Sequence, residues 1–291
     1  MDKIPMQGKT VLITGANQGI GKASAVALGK LGATVVIVCR SGEKGRLAAA
    51  DIQRQGARNV ELLLADMSSQ ADIRRVAAEF RSKHDRLDVL LNNAGVLVTG
   101  RRTTVDGIEE TFAINHLGYF LLTQELLLPL QAAARARVVN VSSEAHRGAK
   151  MRWDDLQFEH QRYSAFAAYG QSKLANILFT RELARRLEGT GVTANSLHPG
   201  VVASGFGRTY GGVTSIVMRV AQLFMITPEE GARTSVYLAS SPEVEGVTGQ
   251  YFDKCAPKEP SRAALEVDAP ARLWTVSEEM TRVREPVRAS A

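Results

Sequence analysis

The sequence contains no run of about 18 consecutive apolar residues, the length a helix needs to cross a bilayer, so no membrane span is expected. Residues 1–7 are polar and carry no apolar leader, so no signal peptide is expected either. Cysteine is nearly absent. Cys39 and Cys255 stand far apart, without the spacing of a metal site or a redox pair. That usage fits a reduced, cytoplasmic setting. No basic stripe or aromatic platform is present, so nucleic acid is not an expected partner. The net charge of +6 is spread over scattered pairs such as Arg74-Arg75, Arg101-Arg102 and Arg185-Arg186. These read as solvated helix faces, and their summed field also suits a polyanionic small ligand. No repeat, low-complexity tract or linker divides the 291 residues, and 45% are hydrophobic, enough for one ample core.

What is present is an alternation. Short apolar runs rich in Val, Leu and Ile occupy 9–14, 34–39, 60–65, 87–91, 136–142 and 192–197, with a last short one near 249–252. They are continuous rather than alternating, as in strands buried on both sheet faces. Amphipathic stretches lie between them. The first carries Ile20, Ser24, Ala27, Leu28 and Leu31 on one face and stops at Gly32. The pattern predicts an α/β fold, a doubly wound parallel sheet of about seven strands with right-handed crossovers and helices on both faces. One catalytic domain is expected over 1–255, followed by an extension, 256–291. Within the extension, Leu273, Val276 and Met280 are spaced for one helix face, and disorder is expected beyond Arg284. Segment 205–226 breaks the rhythm. Its glycines followed by Val213, Ile216, Val217, Val220 and Phe224 suit a lid over an apolar substrate.

The first strand runs into Thr14-Gly15-Ala16-Asn17-Gln18-Gly19-Ile20-Gly21, and a helix follows. Glycines allow a tight turn and close approach to a pyrophosphate, which the helix N-terminus then binds through its amides. The second strand ends in Cys39-Arg40-Ser41, with Lys44 behind and no carboxylate where an NAD site keeps one. A guanidinium there binds a 2′-phosphate through paired, charge-assisted bonds, so the expected cofactor is NADP. The competing reading makes Arg40 a solvent-facing strand end paired with Glu43. Further on, Tyr169 and Lys173 are four residues apart, stacked on one helix face. A lysine ammonium so placed is expected to lower the phenol pKa from about 10.

Taken together, TGANQGIG (14–21), NNAG (92–95), NHLG (115–118), VNVSS (139–143), YGQSK (169–173) and HPG (198–200) make the chain resemble the short-chain dehydrogenase/reductase family. The Gly15 to Gly19 spacing is similar to its compact branch. CRSGEKG, AINHLGYFLLT, SKLANILFTRELARRL and HPGVV resemble the retinol-dehydrogenase-like group in particular. The resemblance implies a single Rossmann domain and assembly as a homodimer or homotetramer. It implies Tyr169 as catalytic acid/base, Lys173 on the nicotinamide ribose, Ser143 on the substrate oxygen and Asn115 holding a water that links Lys173 to solvent. Asp66 and Met67 would contact adenine, Asn93, Ala94 and Gly95 would line the cofactor, and Pro199, Gly200 and Val202 would touch its nicotinamide end. His198 is read as structural. The implied activity is an NADP-dependent aldehyde or ketone reductase, or alcohol dehydrogenase, on an apolar substrate. The alternatives are double-bond reduction of the protochlorophyllide-reductase type and a non-catalytic cofactor sensor on the same fold.

Overall fold

Apolar runs become strands in the computed structural model, which describes residues 5–200 and 226–282; those inside the sheet are buried on both faces, and the one at 59–64, at its edge, is largely half-buried. In β1 (Thr10–Thr14), Leu12 joins the core layer on one face, and Val11 and Ile13 join the layer on the other. In β2 (Thr34–Cys39), Val36 and Val38 point one way and Val35 and Ile37 the other. β3 (Asn59–Leu64), β4 (Val89–Asn92), β5 (Arg137–Val141), β6 (Thr193–His198), β7 (Tyr251–Asp253) and β8 (Ala256–Pro257) complete the sheet. Its eight strands run in the order β3-β2-β1-β4-β5-β6-β7-β8. The parallel sheet expected from the sequence is there. The difference is β8, two residues paired antiparallel with β7. The chain reverses through Lys254 and Cys255, at φ 50 and 62.

One face is covered by α1 (Gly19–Lys30) and α2 (Gly42–Arg54). The other is covered first by α3 (Gln70–Lys83). The chain then enters α4 (Glu110–Phe112), a π-helical turn (Ala113–Leu117), α5 (Gly118–Glu125) and α6 (Leu127–Gln131). The long α7 (Ala165–Arg186) follows on that face, and α8 (Pro228–Ser240) returns to the first. Strand order reverses between β1 and β4, which is where an open α/β sheet leaves a crevice for a ligand.

The C-terminal stretch adds α9 (Arg262–Leu265) and α10 (Ala269–Thr281). α10 packs on the α5/α7 face. Trp274 stands edge-on to Phe120, ring centroids 5.0 Å apart, and stacks on Phe179 at 5.9 Å. The Arg186 guanidinium covers the same indole at 4.2 Å. Leu273 is buried as its spacing suggested, whereas Val276 and Met280 are half-buried. Among the described residues no helix is long and apolar enough to cross a membrane. Among them no group of three His, Cys, Asp or Glu could hold a metal. The expected lid, Ile226 excepted, and the end beyond Arg284 lie outside the described residues.

Candidate active site

The glycine turn is shaped first by its neighbours. Gly15 has φ 68, and a Cβ there would stand 2.9 Å from the Ala94 Cα. A Cβ on Gly21 would come within 2.5 Å of Asn93 Nδ2 and 2.7 Å of the Gly15 carbonyl. Thr14 locks the turn to the segment after β4. Its hydroxyl accepts from the amides of Asn93 and Ala94 at 2.9 and 3.0 Å, and Asn93 Nδ2 donates to the Thr14 carbonyl at 2.8 Å. The turn is therefore backbone-lined and rigid. Gln18 stands at the N-cap of α1 with no side-chain cap bond, and the first turn holds no acid. The amides of Gly19, Ile20 and Gly21 thus form a positive helix end suited to an anion, flanked by half-buried Asn17.

At the end of β2, Arg40 faces solvent and makes an ion pair with Asp66 at 3.6 Å, where the sequence had suggested Glu43. Asp66 also accepts from the amide and hydroxyl of Ser68, at 2.9 and 2.7 Å. Met67 beside it is buried. Exposed Lys44, in the first turn of α2, donates its backbone amide to the Ser41 hydroxyl, the N-cap of α2, at 3.4 Å.

The other end of the crevice brings together Asn115, Ser143, Tyr169 and Lys173. Asn115 sits in the π-turn, fully buried. Its Oδ1 accepts from the Val96 amide at 2.7 Å, while Nδ2 donates to the Val96 carbonyl at 2.9 Å and to Ser172 Oγ at 3.0 Å. Both amide hydrogens are thus used by protein groups, and the side chain clamps the loop after β4 to α7. Of the serine pair, Ser142 is committed, its hydroxyl donating to the Lys173 carbonyl at 2.7 Å. Ser143 Oγ accepts from the Ala145 amide at 3.2 Å and hydrogen-bonds Tyr169, so the second serine faces the tyrosine.

Lys173 is buried and donates from Nζ to the Val141 carbonyl at 3.0 Å. It lies 5.6 Å from the centroid of the Tyr169 ring, and a Cβ at Gly95 would be 3.4 Å from the same Nζ. The expected lowering of the phenol pKa does not appear. Burial pushes the Tyr169 phenol up to about 12, with the Ser143 hydrogen bond acting against it. Burial also pulls the Lys173 ammonium down to about 7. Desolvation disfavours the charged form of both groups and outweighs their attraction. His198 accepts from the Glu144 amide at 3.3 Å, as a structural residue would. Pro199 and Gly200 follow β6, with Gly200 at φ 87 and directly against Ile226. Val202 lies outside the described residues.

Sequence reasoning passed over the polar layer beneath this end. Asn92 Nδ2 donates to Asn140 Oδ1 and Thr123 Oγ1, at 2.9 and 3.1 Å, and Asn140 Nδ2 donates to Thr180 at 2.9 Å. Asn176 donates to the Val141 carbonyl at 3.2 Å. Its position three residues after Lys173 on one helix was the available signal.

The chain as a whole is similar to known proteins. The family model described as short chain dehydrogenase matches residues 9–211. Human retinol dehydrogenase 14 is 45% identical over 292 residues, covering 94% of this chain and 87% of that protein. Human retinol dehydrogenase 13 is 42% identical, covering 98% and 88%. A crystal structure from Mycobacterium paratuberculosis is 35% identical, with a TM-score of 0.79 and 97% of each chain covered. The Pseudomonas aeruginosa RhlG/NADP active-site complex is 29% identical, with a TM-score of 0.71, covering 87% of this chain and 96% of that one.

Proposed function

The chain belongs to the short chain dehydrogenase family, in its retinol-dehydrogenase-like group, and on that premise we propose an NADP-dependent carbonyl reductase or alcohol dehydrogenase for an apolar substrate. The observation that carries this reading is the contact of Ser143 with Tyr169, with buried Lys173 against the tyrosine ring, at one end of the glycine-turn crevice. A dinucleotide fits that crevice because the tight turn at Gly15 and Gly21, packed against Ala94 and Asn93, leads into an α1 N-terminus that has no side-chain cap. Gly15, Asn17, Gln18, Gly19, Ile20 and Gly21 would hold the pyrophosphate, Asp66 and Met67 the adenine. Asn93, Ala94, Gly95, Lys173, Pro199, Gly200 and Val202 would hold the nicotinamide half. The bound cofactor supplies or takes the hydride.

The chain's own residues handle the substrate oxygen. Ser143 and Tyr169 offer two hydroxyls that can bond one carbonyl oxygen together. Tyr169 gives its proton to that oxygen as negative charge develops there, and Lys173 offsets the charge left on the phenolate. A phenol pushed up to about 12 is protonated at neutral pH, so the resting site is poised as an acid, the state carbonyl reduction requires. Alcohol oxidation needs the phenolate and is favoured by higher pH.

NADP is supported by Arg40 and Lys44 at the end of β2, since a 2′-phosphate offers Arg40 a stronger partner than Asp66 at 3.6 Å. The RhlG complex with NADP supports the same choice. An apolar substrate is supported by relatives named for retinol, a long polyene alcohol. Two free cysteines suit a cytoplasmic setting. The test is consumption of NADPH and NADH with straight-chain aldehydes of increasing length, retinaldehyde and sugars, with product analysis. Efficiency should climb with chain length, by up to about 0.8 kcal/mol per buried methylene. Alcohol products with NADPH preferred support the reading. A flat length profile, preference for NADH, or loss of a carbon–carbon double bond sinks it.

A further inference from the structure

Fully buried His146 lies three residues after Ser143, in a short helical turn that follows β5. Its Nδ1 is 2.6 Å from the Ser143 carbonyl oxygen, and its Nε2 is 3.1 Å from the Ser261 amide nitrogen. A carbonyl only accepts and an amide N–H only donates, so the two partners fix the ring without ambiguity. Nδ1 carries the proton and donates to Ser143; Nε2 is the bare acceptor of the Ser261 N–H. Burial lowers the His146 pKa, opposed by the Ser143 carbonyl and Glu144 and assisted by Arg147 and Lys258, so the ring stays neutral. The Tyr251 ring holds it edge-on at 5.0 Å. Ser261 belongs to the stretch after β8, at the N-terminus of α9.

The Ser143 carbonyl therefore takes two bonds from one residue, the His146 amide at 3.1 Å and the ring at 2.6 Å. These fix the peptide plane that carries the Ser143 side chain, and Ser143 Oγ faces Tyr169. We propose that His146 is a positioning residue for Ser143, held in its working tautomer by the backbone amide of Ser261, so that the C-terminal stretch aims the substrate-binding hydroxyl. This rests on the reading of Ser143 and Tyr169 given above. His146 touches no reacting atom. It acts by denying Ser143 a rotated peptide plane, in the manner of second partners that orient a catalytic group.

Ser261 provides the test. Its φ is −68, the value a proline ring imposes, so Ser261→Pro keeps the backbone path, deletes the N–H and sets the ring Cδ where that hydrogen met His146 Nε2. Ser261→Ala keeps the N–H and serves as control. With the aldehyde that the wild type turns over best, Ser261→Pro should lower kcat about tenfold or more with the NADPH dissociation constant unchanged. Ser261→Ala should stay near wild type. His146→Asn, whose amide can occupy the place of Nδ1, should retain more kcat than His146→Gln, whose amide reaches only the place of Nε2. Equal kcat for Ser261→Pro and Ser261→Ala, or the reverse order for the histidine pair, overturns the proposal. A second readout does not depend on turnover. The ionisation curve of Tyr169, followed by ultraviolet difference absorbance against Tyr169→Phe, should move upward in Ser261→Pro, because its Ser143 bond weakens. An unmoved curve overturns the proposal even if no aldehyde is turned over, an outcome that would by itself count only against the proposed activity. Nitrogen-15 spectra should show the Nδ1–H tautomer of His146; the Nε2–H tautomer would also overturn it.

Discussion

Lys173 and Asn176 share one acceptor: both donate to the Val141 carbonyl, at 3.0 and 3.2 Å. Each weakens the other's claim on that oxygen, and the buried ammonium, pulled down to about 7, depends on it. Asn176→Ala leaves the carbonyl to Lys173 alone, which should raise the Lys173 pKa. In the wild type, NADPH affinity should fall as pH rises through about 7 and the ammonium is lost. In the variant, the fall should shift to higher pH. Fluorescence titrations of NADPH from acid to alkaline pH measure both curves. Coincident midpoints would show that Asn176 does not bear on the lysine.

The same depressed pKa makes a stability statement with a definite sign. A lysine whose folded pKa lies at about 7, below its ordinary 10.5, costs stability while it is charged and buried. The cost is full below pH 7 and is relieved as pH rises towards 10.5, because the unfolded chain there binds more protons. Lys173→Met should therefore raise the unfolding free energy near pH 6, by roughly 2 kcal/mol, and by less at pH 9. Thermal melts at the two pH values test it. A variant destabilised equally at both would mean that the Val141 bond more than compensates the buried charge.

Tyr169→Phe removes the proton and the Ser143 partner together while keeping the ring that Lys173 underlies. Turnover should fall by about a hundredfold or more, with NADPH affinity nearly intact. Near-normal turnover would assign the proton to another group.

How far these residues were legible follows from the range of the interactions that place them. The central strands β1 and β2 were readable because they are apolar on both faces, and Tyr169 and Lys173 because helical spacing is local. The glycines announced a turn, yet two of them are fixed by Ala94 and Asn93, just past β4, the strand paired with β1, which no spacing displays. The direction of the Tyr169 shift was misread because a four-residue spacing shows the nearby charge and hides the burial that outweighs it. His146 was overlooked for the same reason. Its partner Ser261 is 115 residues away, and a lone histidine beside a motif carries no local signal.

The last expectation concerns Arg40 and Asp66. Their 3.6 Å ion pair joins the ends of neighbouring strands β2 and β3, with the Arg40 side chain 73% exposed. An exposed pair of this kind contributes about 0–1 kcal/mol, so removing it should leave the melting temperature almost unchanged. Its effect on cofactor choice should be much larger. Arg40→Asp deletes the guanidinium that would bind a 2′-phosphate and places a second carboxylate next to Asp66, which repels the phosphate and can accept from a ribose 2′-hydroxyl. The ratio of NADPH to NADH efficiency should drop by about a hundredfold and cross unity. Arg40→Met, which only deletes the attraction, should fall between. Steady-state kinetics with both cofactors on the three proteins give the ratios. If the wild type already prefers NADH, or if Arg40→Met and Arg40→Asp behave alike, the strand end does not select the cofactor through charge.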